Sequence, residues 1–311
     1  MTTSDPRVGS FPIAVDNTMR KQFAACPRSF RNKFIQHFRP QHKSVHLVAG
    51  GAFAKGIEAG RKAFHVEGLS EEVAIARAWA ASQAEYGDYV PMFDTPKTRW
   101  RVGEAVIEYF DRYSLPNDAV QPHTHAGLKC IEMSFAIPLP INHPVSGDPL
   151  LYCGRFDMVG EFNGALYVVD EKTTSRLGAQ WEAQWDMDSQ FISYCWAARN
   201  MGYPVAGAIV RGLSFLKNDY GHAQVLVYHP EAKVDRWYTQ LLEDVHQMKR
   251  SWEQDYYDFS FGSGCSAYSG CEFRHSCSAV DPDRILELDY VREFWSPIAI
   301  DGSVHLMEIS E

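Results

Sequence analysis

The sequence predicts an α/β protein, and three observations carry that prediction. Apolar residues recur at helical spacing through residues 18–114. Residues 129–173 switch to strand-like runs around an Asn-Gly pair, and helix and strand patterns then alternate as far as residue 255. A chain of 311 residues with 45% hydrophobic content can bury one large core or two modest ones.

Taken in order, "TMRKQFAACPRSFRNKFIQHF" (18–38) sets Phe23, Phe30, Phe34 and Phe38 near one helical face. Pro27 has no amide hydrogen to donate, so one helix should end near Cys26 and another begin there. "GGAFAKGIEAGRKAF" (50–64) reads as a helix opened by two glycines. "SEEVAIARAWAASQAEYG" (70–87) has a capping Ser70, early acids and a closing Gly87, and 95–114 forms a further helix. Strands follow at 129–139, 150–162 and 165–173, with Asn163-Gly164 marking a tight hairpin between the last two. A helix over 185–202, strands from Val205 and His222, and a long amphipathic helix over 231–255 complete the pattern. This divides the chain into an N-terminal helical region (1–115), a core (116–256), and a cysteine-rich segment with its tail (257–311).

No apolar stretch approaches bilayer length and the N-terminus shows no signal-peptide pattern, so the expectation is a soluble cytoplasmic protein with no membrane partner. Net charge is −9, yet Asn17 to Ile57 contains no Asp or Glu and eight Lys or Arg. Such a basic surface can receive a polyanion even on an acidic protein; Arg20, Lys21, Arg28, Arg31 and Lys33 are its chief candidates, with 97–101 ("KTRWR") as the alternative path. A solvated helix face is the plainer reading of the same charges. Of seven cysteines, Cys265, Cys271 and Cys277 fall within thirteen residues, which in a cytosolic chain suggests metal or redox chemistry. Cys130, Cys153 and Cys195 lie on apolar elements and read as packed core thiols.

The hairpin carries the chemistry. With Asn163 and Gly164 at the turn, Phe162 faces Ala165, and counting outward brings Asp157 opposite Asp170. Two opposed carboxylates repel, which a divalent cation with a taste for oxygen ligands converts into ligation. Lys172, two residues on, points to the same face and can stabilise a phosphate or a metal-bound water. A salt-bridged polar hairpin end is the alternative, and the Asp157 register favours the metal reading.

"GRFDMVGEFNGALYVVDEKTTS" resembles the nuclease core of the PD-(D/E)xK superfamily, in particular its RecB-like exonuclease branch. That resemblance implies a mixed central sheet flanked by helices, DNA as substrate, and Mg²⁺ or Mn²⁺ as cofactor. It assigns the two acids to Asp157 and Asp170, the lysine to Lys172, and a main-chain carbonyl ligand to Glu171. The family's Gln-x-x-x-Tyr helix is matched by Gln190 and Tyr194, and Glu132 looks like a further family feature. Where the family usually has a histidine ligand this chain has Ala54, and Glu58, one turn on, is the replacement the pattern offers. The cysteines are similar to those of iron–sulfur members such as the AddB nuclease and the CRISPR adaptation nucleases. Cys26, Cys265, Cys271 and Cys277 would then hold a 4Fe–4S cluster, with zinc as the alternative metal and His275 as a substitute ligand.

The expected function is thus a metal-dependent DNA exonuclease of repair, recombination or phage DNA processing, in a bacterial or phage-infected cell. The competing readings are a DNA-binding scaffold that lost catalysis with Ala54, and a cluster protein within a helicase–nuclease assembly. No GxxxxGK[ST] motif is present, so any unwinding would come from a helicase or recombination partner.

Overall fold

The structure is a computed structural model that describes residues 5–266, 270–297 and the backbone of 304–306. The chain forms two compact units, each assembled from segments distant in sequence. One comprises Met1–His42, Ser134–Gly154 and Asp235–Glu311; the other comprises Lys43–Met133 and Arg155–Val234.

From the N-terminus, β1 (Ala14–Asp16) runs into α1 (Asn17–Ala25), capped by the Asp16 carboxylate, which accepts from the Met19 amide at 2.7 Å. Cys26, forced extended by the proline that follows, ends this helix, and α2 (Pro27–Phe30) starts at Pro27 as expected. One π turn, Arg31–Ile35, leads to β2 (Phe38–Pro40). Phe23, Phe30, Phe34 and Phe38 are all buried.

The second unit opens with α3 (Val45–His65), α4 (Glu71–Tyr86) and α5 (Arg99–Arg112), capped by the hydroxyls of Ser44, Ser70 and Thr98. Here α3 begins five residues before the expected glycine pair, because Ser44 supplies the capping oxygen that glycine lacks. Two later glycines of α3 serve packing. A Cβ on Gly60 would lie 2.6 Å from the Phe110 ring, and one on Gly56 would lie 2.7 Å from Val106.

Short strands β3 (Gln121–Pro122), β4 (Thr124–His125) and β5 (Leu128–Lys129) precede the long strands β6 (Ile131–Asn142), β7 (Pro149–Phe162) and β8 (Ala165–Thr174). Asn163 and Gly164 both take positive φ, 50° and 77°, as a two-residue hairpin turn requires. Helices α6 (Ala179–Ala183) and α7 (Ser189–Asn200) then lead to β9 (Val205–Phe215) and β10 (Tyr220–Tyr228). The helix α8 (Glu231–Glu253) buries Val234, Trp237, Leu241, Val245 and Met248 at three- and four-residue spacing. After it come α9 (Arg274–Cys277), α10 (Pro282–Asp289), β11 (Tyr290–Arg292) and β12 (Val304–Leu306).

The sheet follows the order β10-β9-β8-β7-β6-β12 and is mixed. β7 pairs antiparallel with β8, β8 parallel with β9, and β9 antiparallel with β10. The parallel step needs a crossover, which α7 supplies. Among the described residues beyond 280, β11 pairs with β2 and β12 pairs parallel with β6, both within the first unit. Among the described residues no helix is long and apolar enough to cross a membrane.

Candidate active site

The β7–β8 hairpin takes the register expected from its turn, with Phe162 opposite Ala165 and Met158 opposite Val169. The paired ladder stops there, one step short of Asp157 and Asp170. Beyond that point the Asp157 carboxylate accepts from the Glu171 amide at 3.2 Å in place of a strand carbonyl. The strands part where the two acids meet, and a side-chain bond replaces the next ladder bond.

Asp170 is buried, 2% exposed. One of its oxygens takes an ion pair from the Lys172 ammonium, and the other accepts from the Gln190 amide at 3.2 Å. Gln190 sits in the first turn of α7, whose cap is Asp188, and its amide also donates to the Tyr194 hydroxyl at 3.0 Å. The four-residue spacing of Gln190 and Tyr194 thus sets both on the helix face that meets Asp170. Tyr194 is wedged edge-on against Phe156.

Burial, and then the charges of Asp170, Glu132 and Glu171, push the Asp157 pKa well above the usual carboxylate range. Burial likewise raises Asp170, against the opposing pull of Lys172. For Lys172, burial works to lower the pKa, and Asp170 and Asp157 outweigh it. Glu132 is raised to about 7 by burial, with Arg155 opposing and Glu58 reinforcing; Arg155 Nε reaches its carboxylate at 2.9 Å. Glu132 also holds φ at +55°, an uncommon backbone state for a residue with a side chain. Negative charge is therefore in excess around Asp157, and the oxygen-only donor set suits a hard divalent cation. Asp157 and Asp170 are the residues that could hold it. Among the described residues, however, no group of three or more His, Cys, Asp or Glu side chains is arranged as a ready metal site.

Glu58 is nearly buried, and its carboxylate is clasped by Lys55 at 3.0 Å and Lys62 at 2.8 Å. Its charge is already compensated within its own helix. The Glu171 side chain points to the opposite face of β8 from Asp170 and Lys172. There it is held by Arg61 through two bonds, one of 2.9 Å, and by the Tyr109 hydroxyl at 2.7 Å. Arg211 reaches the same hydroxyl at 3.2 Å and pairs with Asp118 at 2.6 and 2.7 Å. Burial acts to raise the Glu171 pKa, but Arg61 leads the charges that hold it below its ordinary value. Arg61, Tyr109, Arg211 and Asp118 were not singled out by sequence. The available signal was Arg211 itself, an arginine inside the apolar run "VAGAIVRGLSF" that needs a buried partner.

In the first unit, the end of α1 and the cysteine-rich segment meet. The Cys277 thiol is pushed up to about 11 by burial, reinforced by Cys271, Cys26 and Cys265, so all three other cysteines lie within electrostatic reach of it. The Cys271 amide donates to the Cys265 carbonyl at 3.1 Å, and Cys271 and Cys277 pack on Phe38, Phe273 and Leu286. None of the four is in a disulfide. His275 faces Asp289 at 3.2 Å. Cys130, Cys153 and Cys195 are buried free thiols, as the sequence suggested.

The basic segment is free of acids in sequence but not in space. Arg20 pairs with Asp244 at 2.6 Å, Arg28 and Arg31 share Asp283 at 3.0 and 3.2 Å, and Lys33 meets Glu272 at 2.5 Å. Lys21 is exposed on α1. Arg20, Arg28, Arg31 and Lys33 are thus opposed by acids that arrive from α8 and the C-terminal segment.

A sequence model of the family described as "PD-(D/E)XK nuclease superfamily" matches residues 18–278, which includes the hairpin, the α7 pair and all four clustered cysteines. No curated protein matches the chain. A solved structure described as "Crystal structure of SSO0001" is 13% identical, covering 76% of this chain and 85% of its own, with a TM-score of 0.30. A likeness that distant carries no argument here.

Proposed function

The chain belongs to the PD-(D/E)XK nuclease superfamily and is a nuclease by family, and from that premise we propose that it hydrolyses DNA from strand ends with Mg²⁺ or Mn²⁺, as a member of the RecB-like branch. The observation that supports this reading is the Asp170 carboxylate held between Lys172 and Gln190 with Asp157 beside it. Asp157 and Asp170 would hold the cation, with the main-chain carbonyl of Glu171 as a further oxygen and Glu58 available only if it leaves its lysines. The bound cation would supply charge neutralisation at the phosphate and a more acidic water. Gln190 fixes the Asp170 carboxylate, and Tyr194 fixes Gln190. The Lys172 ammonium sits where it can stabilise charge that develops on a phosphate oxygen.

A second reading has specific support: Ala54 offers no ligand, and Glu58 is neutralised by Lys55 and Lys62. On that reading the protein binds DNA without cutting it. Digestion of end-labelled DNA over an Mg²⁺ and Mn²⁺ titration decides between them. Metal-dependent release of nucleotides, lost in Lys172→Ala, supports the nuclease. DNA binding with no cleavage at any metal concentration selects the scaffold.

We further propose that Cys26, Cys265, Cys271 and Cys277 hold a 4Fe–4S cluster that ties the two ends of the first unit together. The packing of Cys271 and Cys277 on one apolar cluster, and the influence of Cys26 and Cys265 on the Cys277 thiol, support this reading. Anaerobic purification followed by iron and sulfide assay tests it, and colourless protein with one zinc per chain would overturn it. A helicase partner remains the natural source of unwinding for such an enzyme.

A further inference from the structure

Lys97 lies just before α5 and is 3% exposed. Buried ammonium groups are normally paired with a carboxylate. Among the described residues Lys97 has none: its ammonium meets His46 Nδ1 at 3.0 Å and lies 5.6 Å from the centre of the Phe215 ring. His46 is itself exposed, in the first turn of α3. With Nδ1 accepting from Lys97, the neutral ring carries its proton on Nε2, which becomes an outward donor backed by a buried cation. The head of a 21-residue helix adds its own positive end.

Two contacts tie this place to the catalytic strand. Gly50 of α3 lies against Thr173, such that a Cβ there would be 3.3 Å from its hydroxyl. Phe215 ends β9, three residues past Gly212, the ladder partner of Lys172. By strand parity Thr173 and Phe215 lie on the Glu171 face of the sheet, so the buried cation stands behind the carboxyl-end rim that carries Lys172 on its front. The loop that delivers Lys97 also exposes Val90 (79%), Met92 (73%) and Phe93 (61%). Its acids are Asp88, which faces Arg99 at 4.0 Å, and Asp94.

We propose that His46, backed by the buried Lys97, holds a backbone phosphate of a single DNA strand that crosses the carboxyl-end rim from the catalytic hairpin, and that Phe93, beside Met92, stacks on an unpaired base of that strand. A cation lacking a counter-ion is complemented by a phosphate, and exposed apolar side chains next to a basic groove are complemented by bases that are not already paired. This deepens the nuclease reading and rests on it.

The test uses the whole protein with fluorescent single-stranded and blunt duplex oligonucleotides, binding measured without divalent metal over a salt series. Phe93→Ala should weaken single-strand binding about tenfold and duplex binding much less. Lys97→Met should weaken both and make the salt dependence of single-strand binding shallower by about 0.7 in log–log slope. Because Lys97 is buried and could affect folding, exposed Phe93 carries the test by itself if Lys97→Met is unstable. Variants that bind like a wild type that still cuts DNA overturn this assignment alone. A wild type that neither binds nor cuts DNA overturns the nuclease reading along with it.

Discussion

Arg61 offers the sharpest test of how the candidate site is built. It is 4% exposed and gives two bonds to Glu171 and one, of 2.8 Å, to Tyr109. Arg61→Met keeps the bulk of the side chain and strands a buried carboxylate, a change that typically costs about 3–5 kcal/mol. Tyr109 still donates to Glu171 and Arg211 is close by, which places the loss near ~3 kcal/mol. At ~2–4 °C per kcal/mol, the melting transition of the unit that contains it should fall by about 6–12 °C near neutral pH. The pH dependence follows from the sign of the shift. In the wild type Glu171 has a depressed folded-state pKa, so its contribution is present above the unfolded pKa and lost as pH falls through the folded one. Without Arg61, burial dominates and the folded pKa rises above the unfolded value. Glu171 then destabilises the mutant at neutral pH, and protonation relieves it as pH drops. The gap between wild type and mutant should narrow on acidification, and Glu171→Gln introduced alongside Arg61→Met should recover much of the loss. Thermal melts at several pH values measure this. A melting point within about a degree of wild type, or a gap that does not change with pH, would refute the argument that this pair anchors β8.

Other outcomes follow from the same geometry. Asp170→Asn and Lys172→Met should each lower cleavage of end-labelled DNA by ~10²-fold or more with little change in DNA affinity; full activity in either removes the hairpin from the mechanism. Gln190→Ala releases one oxygen of Asp170, so the metal concentration needed for half-maximal cleavage should rise ~10–100-fold, and an unchanged requirement denies Gln190 that role. Because burial and Asp170 raise the Asp157 pKa, cation binding should release protons and weaken as pH falls. Calorimetry in two buffers of different ionisation heat reads that release, and identical heats would count against it. Replacing Arg20, Lys21, Arg31 and Lys33 together by Ala should lower the melting point more than it lowers DNA affinity, since three of the four already hold carboxylates.

What the sequence revealed and what it hid divide along a physical line. The hairpin was legible because a two-residue Asn-Gly turn and a period of two fix register locally, and the observed pairs from Phe162–Ala165 to Met158–Val169 follow it. Only the final step differed, where two like charges stop the ladder. The charge balance of 17–57 was illegible, because Asp244, Asp283 and Glu272 lie more than 200 positions from Arg20, Arg28 and Lys33. Nothing in a local pattern says which distant acid folds against which base. Glu171 shows how far parity alone can lead. Lying between Asp170 and Lys172 on a strand, it must face the other side and, if buried there, must find a cation. Its ladder partner on β9 is Arg211, the nearest guess from the topology. Yet Arg211 gives its two-toothed grip to Asp118, and the cation that closes on Glu171 is Arg61 from α3. The strand that carries the candidate catalytic pair is thereby fastened on its reverse face to the same helix whose head bears His46. A substitution at Arg61 should therefore disturb both the catalytic set and the proposed strand-binding site.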